Sequence, residues 1–420
     1  MINFSGVKLL KIIFVISLTG FIIILPIFLK VSLAQYSPYQ ATLNEVWQEV
    51  NDHFFAPNFN GADWKAKQKE YEHRLKPVQS LEEASIIINQ MLSELKTSHT
   101  HFYTQQEPAY YQLLGIFNRG SFRQELEKIF PNGKLDYTGI GIFTKNINGK
   151  TFISGIIDGT PATSSGLKVG DEVIAVDGKP YQPIQSFIDK AGQEVNVSIQ
   201  QSPDPKTRKI LTVIPKKLNP DTLFLEAMRE SIQIIERNGK RIGYVHIWSY
   251  AGDQYQQQLI EDIGFGKLKD TEGLILDLRD GWGGAEPNYL NIFNQQVPVL
   301  TQMDRDGVKR TIDLQWRKPI VMMINNGSRS GKEILAYGFK KYRIGTLIGT
   351  KTAGAVVGGS PFLLKDGNLL YLAVVDVWVD GERLEGKGVI PDIEIPFPLE
   401  YAQGKDPQFN KAVEVLLEQL

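Results

Sequence analysis

The sequence predicts an α/β protein of several domains: an N-terminal helical domain, a compact β-module and an α/β core. Three changes of texture along the chain predict it. From Leu43 to about Leu95, stretches such as "LNEVWQEVNDHFF" and "SLEEASIIINQMLSELK" repeat apolar residues at helical spacing. From about Tyr137 to Pro215, short runs such as "GIGIF", "TFISGII" and "VNVSIQ" are separated by Gly, Pro and Asp turns, which is the pattern of short strands. Beyond "KKLNPD", continuous apolar strands such as "GLILDLR" and "PIVMMIN" alternate with helical stretches such as "GKEILAYGFKK". Continuous apolar strands belong to a sheet covered on both faces.

Taken in order, the chain opens with an address. Lys8 and Lys11 precede an apolar run from Ile12 to Leu29, and small Ser32 and Ala34 follow at positions suited to a signal peptidase. This predicts an export signal over 1–34, cut after Ala34, or a membrane anchor through 12–29. The run approaches the roughly 20 residues of a membrane span. Either reading places the working part outside the cytoplasm, periplasmic or still attached to the membrane. The helical domain is expected over 35–130, with Ser80 and Glu83 forming a capping box for its last helix. The β-module follows over 137–216, the core over 221–400 and a C-terminal helix over 401–420.

Composition narrows the chemistry. A chain of 420 residues has room for two or three domains with real cores. A net charge of -1 gives no reason to expect a nucleic acid partner. The chain has no cysteine, which excludes disulfides, thiolate metal sites and cysteine nucleophiles together. Covalent catalysis would fall to Ser, Thr, Lys, Tyr, His or a carboxylate. Two of the five histidines, His99 and His101, sit in "TSHTHF", just past the last helix of the first domain. Histidine is the side chain whose ordinary pKa suits proton transfer near neutral pH.

Two strands of the core end in suggestive loops. "GLILDLRD" runs into "GWGGAEPN", where Gly281, Gly283 and Gly284 leave backbone N–H groups open to a ligand. "KPIVMMIN" runs into "NGSRSGKEILAYGF", which brings Ser328 and Ser330 to the start of a helix. Ser330 at that turn suits a nucleophile. The Gly331 N–H and the helix dipole would face a developing oxyanion, and Gly283 or Gly284 would add a second donor. From this turn alone, a serine at this position reads more readily as a helix cap. Asp277 and Arg279 read as a structural ion pair beside the site, and His101, lacking a third ligand nearby, as a structural or rim residue and not a metal ligand. In "GTLIGTKT", Thr350 occupies the place where a phosphate-binding loop needs glycine, so nucleotide binding is rejected.

The ordered motifs "GLILDLRDGWGG", "NNGSRSGKEILAYG", "IGTKTAGAVVGG" and "LEGKGVIPDI" resemble the catalytic domain of the C-terminal processing peptidases, also called tail-specific proteases. The middle stretch, "GIGIF" followed by "IIDGTPATSSGLKVGDEVIAVDG", is similar to the PDZ domain that these enzymes carry. One departure stands out. The resemblance implies an activating lysine 25 residues after the serine, where this chain has Ala355. Lys351 is out of register, and Lys332 is expected to point away from the site. His99 stands where an aromatic residue is usual.

That pair of changes resembles the branch exemplified by the tricorn core protease. The resemblance implies Ser330 as nucleophile, His99 as general base, Ser98 as the link that orients the imidazole, and Glu385 as the anchor of Ser98. It also implies a PDZ loop of Gly139, Ile140, Gly141 and Ile142 that recruits or gates substrate chains. The expected function is an exported serine endopeptidase that cleaves peptides or unfolded proteins near apolar C-terminal tails through an acyl-enzyme. No metal or organic cofactor is implied. Two alternatives accompany it: a silent relative that binds a peptide or apolar ligand in the same groove, and activation of Ser330 by Lys351 after a register shift. Oligomeric state is left open.

Overall fold

The structure is a computed structural model that describes residues 37–130 and 133–420. The export or anchor segment expected over 1–34 lies outside the described residues. Among the described residues, no helix is long and apolar enough to cross a membrane.

Three helices come first: α1 (Gln40–His53), α2 (Trp64–Leu75) and α3 (Leu81–Ser93). Their apolar faces bury Leu43, Val46, Trp64, Ile88 and Met91 together. Ser80 caps α3 by accepting the Glu83 N–H at 3.2 Å, the forward half of the expected box. The chain then turns through Lys96 and His99, both at positive φ, into β1 (His101–Tyr103). β1 pairs antiparallel with Leu369–Val375, which pairs in turn with Gly358–Leu363. Phe102, Leu370 and Leu372 lie in the same core as the helices. The helical region therefore completes its core with strands from late in the chain, and this seats the His99 loop against the α/β region. Cutting the fully buried Phe102 to alanine would cost about 3–5 kcal/mol.

The β-module is tied at its ends, where β2 (Tyr137–Gly139) pairs with Lys216–Leu218. Between them, β3 (Ile142–Ile147), β4 (Lys150–Ile156), Glu172–Val176, Val195–Gln200 and Arg208–Val213 follow one another across an antiparallel sheet. Val195, Val197 and Ile199 turn into its core at the two-residue period of a strand. β3 is an edge of this sheet.

The α/β core is a six-stranded sheet in the order Gln233–Arg237, Lys240–His246, Gly273–Asp277, Ile320–Ile324, Thr346–Gly349 and Ile393–Glu394. Its first pair is antiparallel and the rest are parallel. Strands Gly273–Asp277 and Ile320–Ile324 are buried along their whole length. Leu274, Leu276 and Met322 face one layer with Leu335 and Phe339 of the Gly331–Lys341 helix. Ile275, Val321 and Met323 face the other, against Val413 and Leu416 of the C-terminal helix Pro407–Gln419. Both faces are covered, as the continuous apolar runs require. The loops after these two strands gather at one end of the sheet, where α/β folds place their sites.

Candidate active site

Ser330 is the N-cap of the Gly331–Lys341 helix, at φ 56° and ψ -129°. A non-glycine residue in that region is strained, and the surroundings hold it there. Its N–H donates to the Ala355 carbonyl at 2.7 Å and to the Glu333 carboxylate at 3.3 Å. The neighbouring glycines are required by space. A Cβ on Gly283 would come within 2.5 Å of Ser330 Cβ, and one on Gly331 within 2.3 Å of the Ala285 nitrogen. Among the described residues, the N–H groups of Gly283, Gly284 and Gly331 are given to no acceptor in the protein. Ser328, the other serine of the turn, is spent on structure: its hydroxyl donates to the Leu278 carbonyl at 2.9 Å and accepts the Asn325 N–H at 3.0 Å.

Glu385 is a carboxylate surrounded by donors. It accepts the Ser98 N–H (2.8 Å), the Ser98 hydroxyl (2.9 Å), the Thr97 hydroxyl (3.2 Å) and the N–H groups of Val356 (2.7 Å) and Val357 (3.3 Å). Burial pushes its carboxyl up, but these bonds outweigh burial and hold it below the ordinary value, as an anion. The Ser98 hydroxyl also lies 2.8 Å from His99 Nδ1. Ser98 has one hydroxyl proton and Glu385 can only accept, so that proton points to Glu385. Nδ1–H must then donate to Ser98, and His99 Nε2 carries the free lone pair. Burial, aided by the positive charge of Arg329, pushes the imidazole pKa down to about 4, against the pull of Glu385. His99 is therefore a neutral base at physiological pH.

His99 and Ser330 line one cavity of about 470 Å³, with Gly283, Gly284, Ala355, Leu113, Phe117 and Tyr371. No hydrogen bond joins the Ser330 hydroxyl to His99 in this structure, which is common before substrate binds. Ala355 stands in the same cavity, so no lysine reaches the serine from that loop. Lys351 lines a different cavity, of about 960 Å³, between the β-module and the core. Lys332 points to the backbone beneath the loops, donating to the carbonyls of Asp280 (2.7 Å) and Trp248 (3.2 Å). Burial lowers its pKa to about 7. His101 is on the rim, its ring 4.4 Å from that of Tyr103.

Residues 241–395 match the family described as Peptidase family S41. The core of the chain is thus similar to a serine-type peptidase domain of family S41. Residues 38–93 match the tricorn protease C1 domain and residues 128–201 the PDZ domain. Among curated relatives, the carboxyl-terminal-processing protease of Synechocystis sp. is 24% identical over 408 residues, covering 92% of this chain and 88% of that protein. The tricorn protease homolog 1 of Streptomyces coelicolor is also 24% identical, over 396 residues, covering 90% of this chain and 35% of that protein. The chain thus spans about a third of the length of that tricorn relative. The crystal structure of the tricorn protease superposes with a TM-score of 0.53 at 20% identity, covering 90% of this chain and 36% of that one, which supports the shared fold.

Within the PDZ domain, Gly139 ends β2, Ile140 is buried in the domain's own core, and Gly141 turns at φ 80° with no room for a side chain against Thr160. Ile142 opens the edge strand β3 and lines the larger cavity. Asp277 and Arg279 form the expected ion pair at 2.6 Å, extended by Asp406 at 2.7 Å. Sequence reasoning missed Glu333. Its buried carboxylate accepts from the Thr352 hydroxyl (2.5 Å) and the N–H groups of Gly354 (2.7 Å) and Ala355 (2.7 Å), stitching that loop to the Ser330 turn. The spacing of Ser330 and Glu333, that of a capping box, was the available sign. Tyr371, whose ring is 5.5 Å from that of His99, and Arg329 had none.

Proposed function

We propose that this chain is an S41 peptidase that cleaves peptides or unfolded proteins near apolar C-terminal tails, with Ser330 as nucleophile and His99 as general base. The observation that carries this reading is the one-way bond chain from His99 through Ser98 to Glu385, which leaves Nε2 with its lone pair in the cavity that Ser330 enters. His99 Nε2 takes the hydroxyl proton as Ser330 Oγ attacks the scissile carbonyl carbon. The oxyanion forms against the N–H of Gly331 and that of Gly283 or Gly284, whose donors are otherwise unspent. The C–N bond breaks as Nε2 returns the proton to the leaving amine, giving an ester on Ser330. Water, deprotonated by the same nitrogen, cleaves that ester and restores the serine. Ser98 and Glu385 are positioning residues that fix the tautomer and stabilise the imidazolium formed in each step.

The apolar wall of Leu113, Ile116 and Phe117 suits an apolar tail. The name of the Synechocystis relative supports carboxyl-terminal processing, and a PDZ loop at Gly139 to Ile142 fits recruitment or gating of the chain end. Action outside the cytoplasm, after export by residues 1–34, follows the same reading. Mass spectrometry of products from unfolded protein and apolar-tailed peptides tests it. Cleavage by the wild type, lost in both Ser330→Ala and His99→Ala, is the expected result. Cleavage that survives His99→Ala and fails in Ser330→Ala would move the base elsewhere.

A further inference from the structure

Arg329, the residue before the candidate nucleophile, is a cation with no carboxylate partner among the described residues. Arg279 and Arg317 are locked to carboxylates, whereas Arg329 enters no ion pair among the described residues. Its Nε is shut off from solvent with no acceptor. Buried polar groups are nearly always satisfied, so an unanswered Nε on a half-buried arginine beside the candidate nucleophile calls for an explanation. The guanidinium lies over the Trp282 ring at 5.6 Å. Trp282 is itself fixed through its indole N–H to Gln112 at 2.9 Å. A cation–π contact uses the charge and not the N–H donors, so it leaves those donors for a ligand.

Arg329 also lines both cavities, the one with Ser330 and His99 and the larger one beneath the PDZ domain. On the active-site side the ionisable groups near it are His99, His101, Tyr103 and Tyr371. Burial, with the charge of Arg329 adding to it, lowers both histidines to about 4; burial raises Tyr103 to about 12 and Tyr371 further still, so none is an anion at neutral pH. On the other side lie Lys351, Asp280 and Glu107, with Lys332 close enough to feel the charge. Glu107 is occupied by the N–H and hydroxyl of Thr104.

We propose that Arg329 is a specificity-determining residue that binds a substrate carboxylate beside the scissile bond. The carboxylate is either the α-carboxylate of the chain end or an acidic side chain near it. The proposal rests on the peptidase reading of Ser330. It adds a consequence for the base: a carboxylate seated on Arg329 offsets the charge that helps to depress His99, so the imidazole grows more basic when such a substrate is bound, while Glu385 continues to favour the same change.

The test uses the whole protein and matched apolar peptides: free acid against C-terminal amide, and Glu against Gln beside the cleavage point. Wild type should prefer the carboxylate member of one pair, and Arg329→Gln should reduce that preference by roughly ten- to a hundredfold. Which pair responds assigns the source of the carboxylate. Arg329→Lys, which keeps charge without the fork, should retain part of the preference and serves if Arg329→Gln does not fold. The acid limb of kcat should lie at higher pH for the carboxylate peptide, and this difference should vanish in Arg329→Gln. Binding of the same labelled peptides to Ser330→Ala, with and without Arg329→Gln, gives a readout free of catalysis. Equal preference with and without Arg329 overturns the proposal. Absence of cleavage of every peptide by wild type would instead sink the peptidase reading, and the binding ratio would still decide on Arg329.

Discussion

Two carboxylate networks serve this core, one fully buried and one half-buried, and they end differently. Around Asp277 every group is answered: Arg279 bridges Asp277 and Asp406 and reaches Gln408, and the Tyr244 hydroxyl donates to Asp277 at 2.9 Å. Around Glu385 five donors converge, yet the chain of bonds runs on through Ser98 and stops at a histidine nitrogen that faces a cavity. The closed network ties the end of a strand to the C-terminal helix. The open one leaves a lone pair, a strained serine and the unspent N–H groups of Gly283 and Gly284 around one space. The difference teaches that burial and charge do not by themselves mark a site; an unfinished network does.

The comparison breaks most visibly at the open end. Ser330→Ala and His99→Ala should each lower kcat for peptide hydrolysis on the order of 10⁶-fold, while thermal unfolding stays close to wild type. Glu385→Gln should cost on the order of 10⁴-fold, because the charge and the tautomer control are lost together. For the wild type on a neutral peptide, kcat/KM should stay level from neutral pH downward and fall through about pH 4, where His99 gains its proton. Glu385 raises the imidazole pKa, so in Glu385→Gln that acid limb should move to still lower pH.

The closed network should answer in stability instead. Arg279→Met leaves Asp277 buried and unpaired, and denaturant unfolding should show a loss of about 3–5 kcal/mol. Burial pushes the Asp277 carboxyl up, but Arg279 and His246 outweigh it and hold it well below the usual range. A depressed carboxyl stabilises the fold above its unfolded pKa of about 3.9 and loses that contribution as pH falls. Wild-type stability should therefore drop on acidification below about pH 4, and the Arg279→Met curve should be flatter there. The smallest effect is expected for Lys351→Ala, which should leave kcat/KM within about twofold, since an exposed residue of another cavity is removed. A large loss would revive the lysine reading.

Much of this was legible in the chain. The helical period, the alternating strands and the two continuous apolar runs announced the three regions, because burial on one face or two writes its period into the sequence. Ser98, His99, Ser330, Ala355 and Glu385 could be picked out because short motifs carry them. Other parts could not be read. Glu333 looked like an ordinary first-turn glutamate until the Thr352–Ala355 loop folded over it. Arg329 looked like a surface arginine, since nothing in "NNGSRSGK" says that no carboxylate will pair with it.

By itself, then, the sequence determined the order of the regions, the chemistry available to a chain without cysteine, and the candidate pairing of a serine with a histidine far from it. The tertiary structure decided what lies between them. Pairing of β1 with Leu369–Val375 brings the His99 loop to the core, five donors fix the charge of Glu385, and one hydroxyl proton sets which imidazole nitrogen is free. These are properties of groups distant in the chain, and local pattern records the period of burial without recording the partner that burial brings.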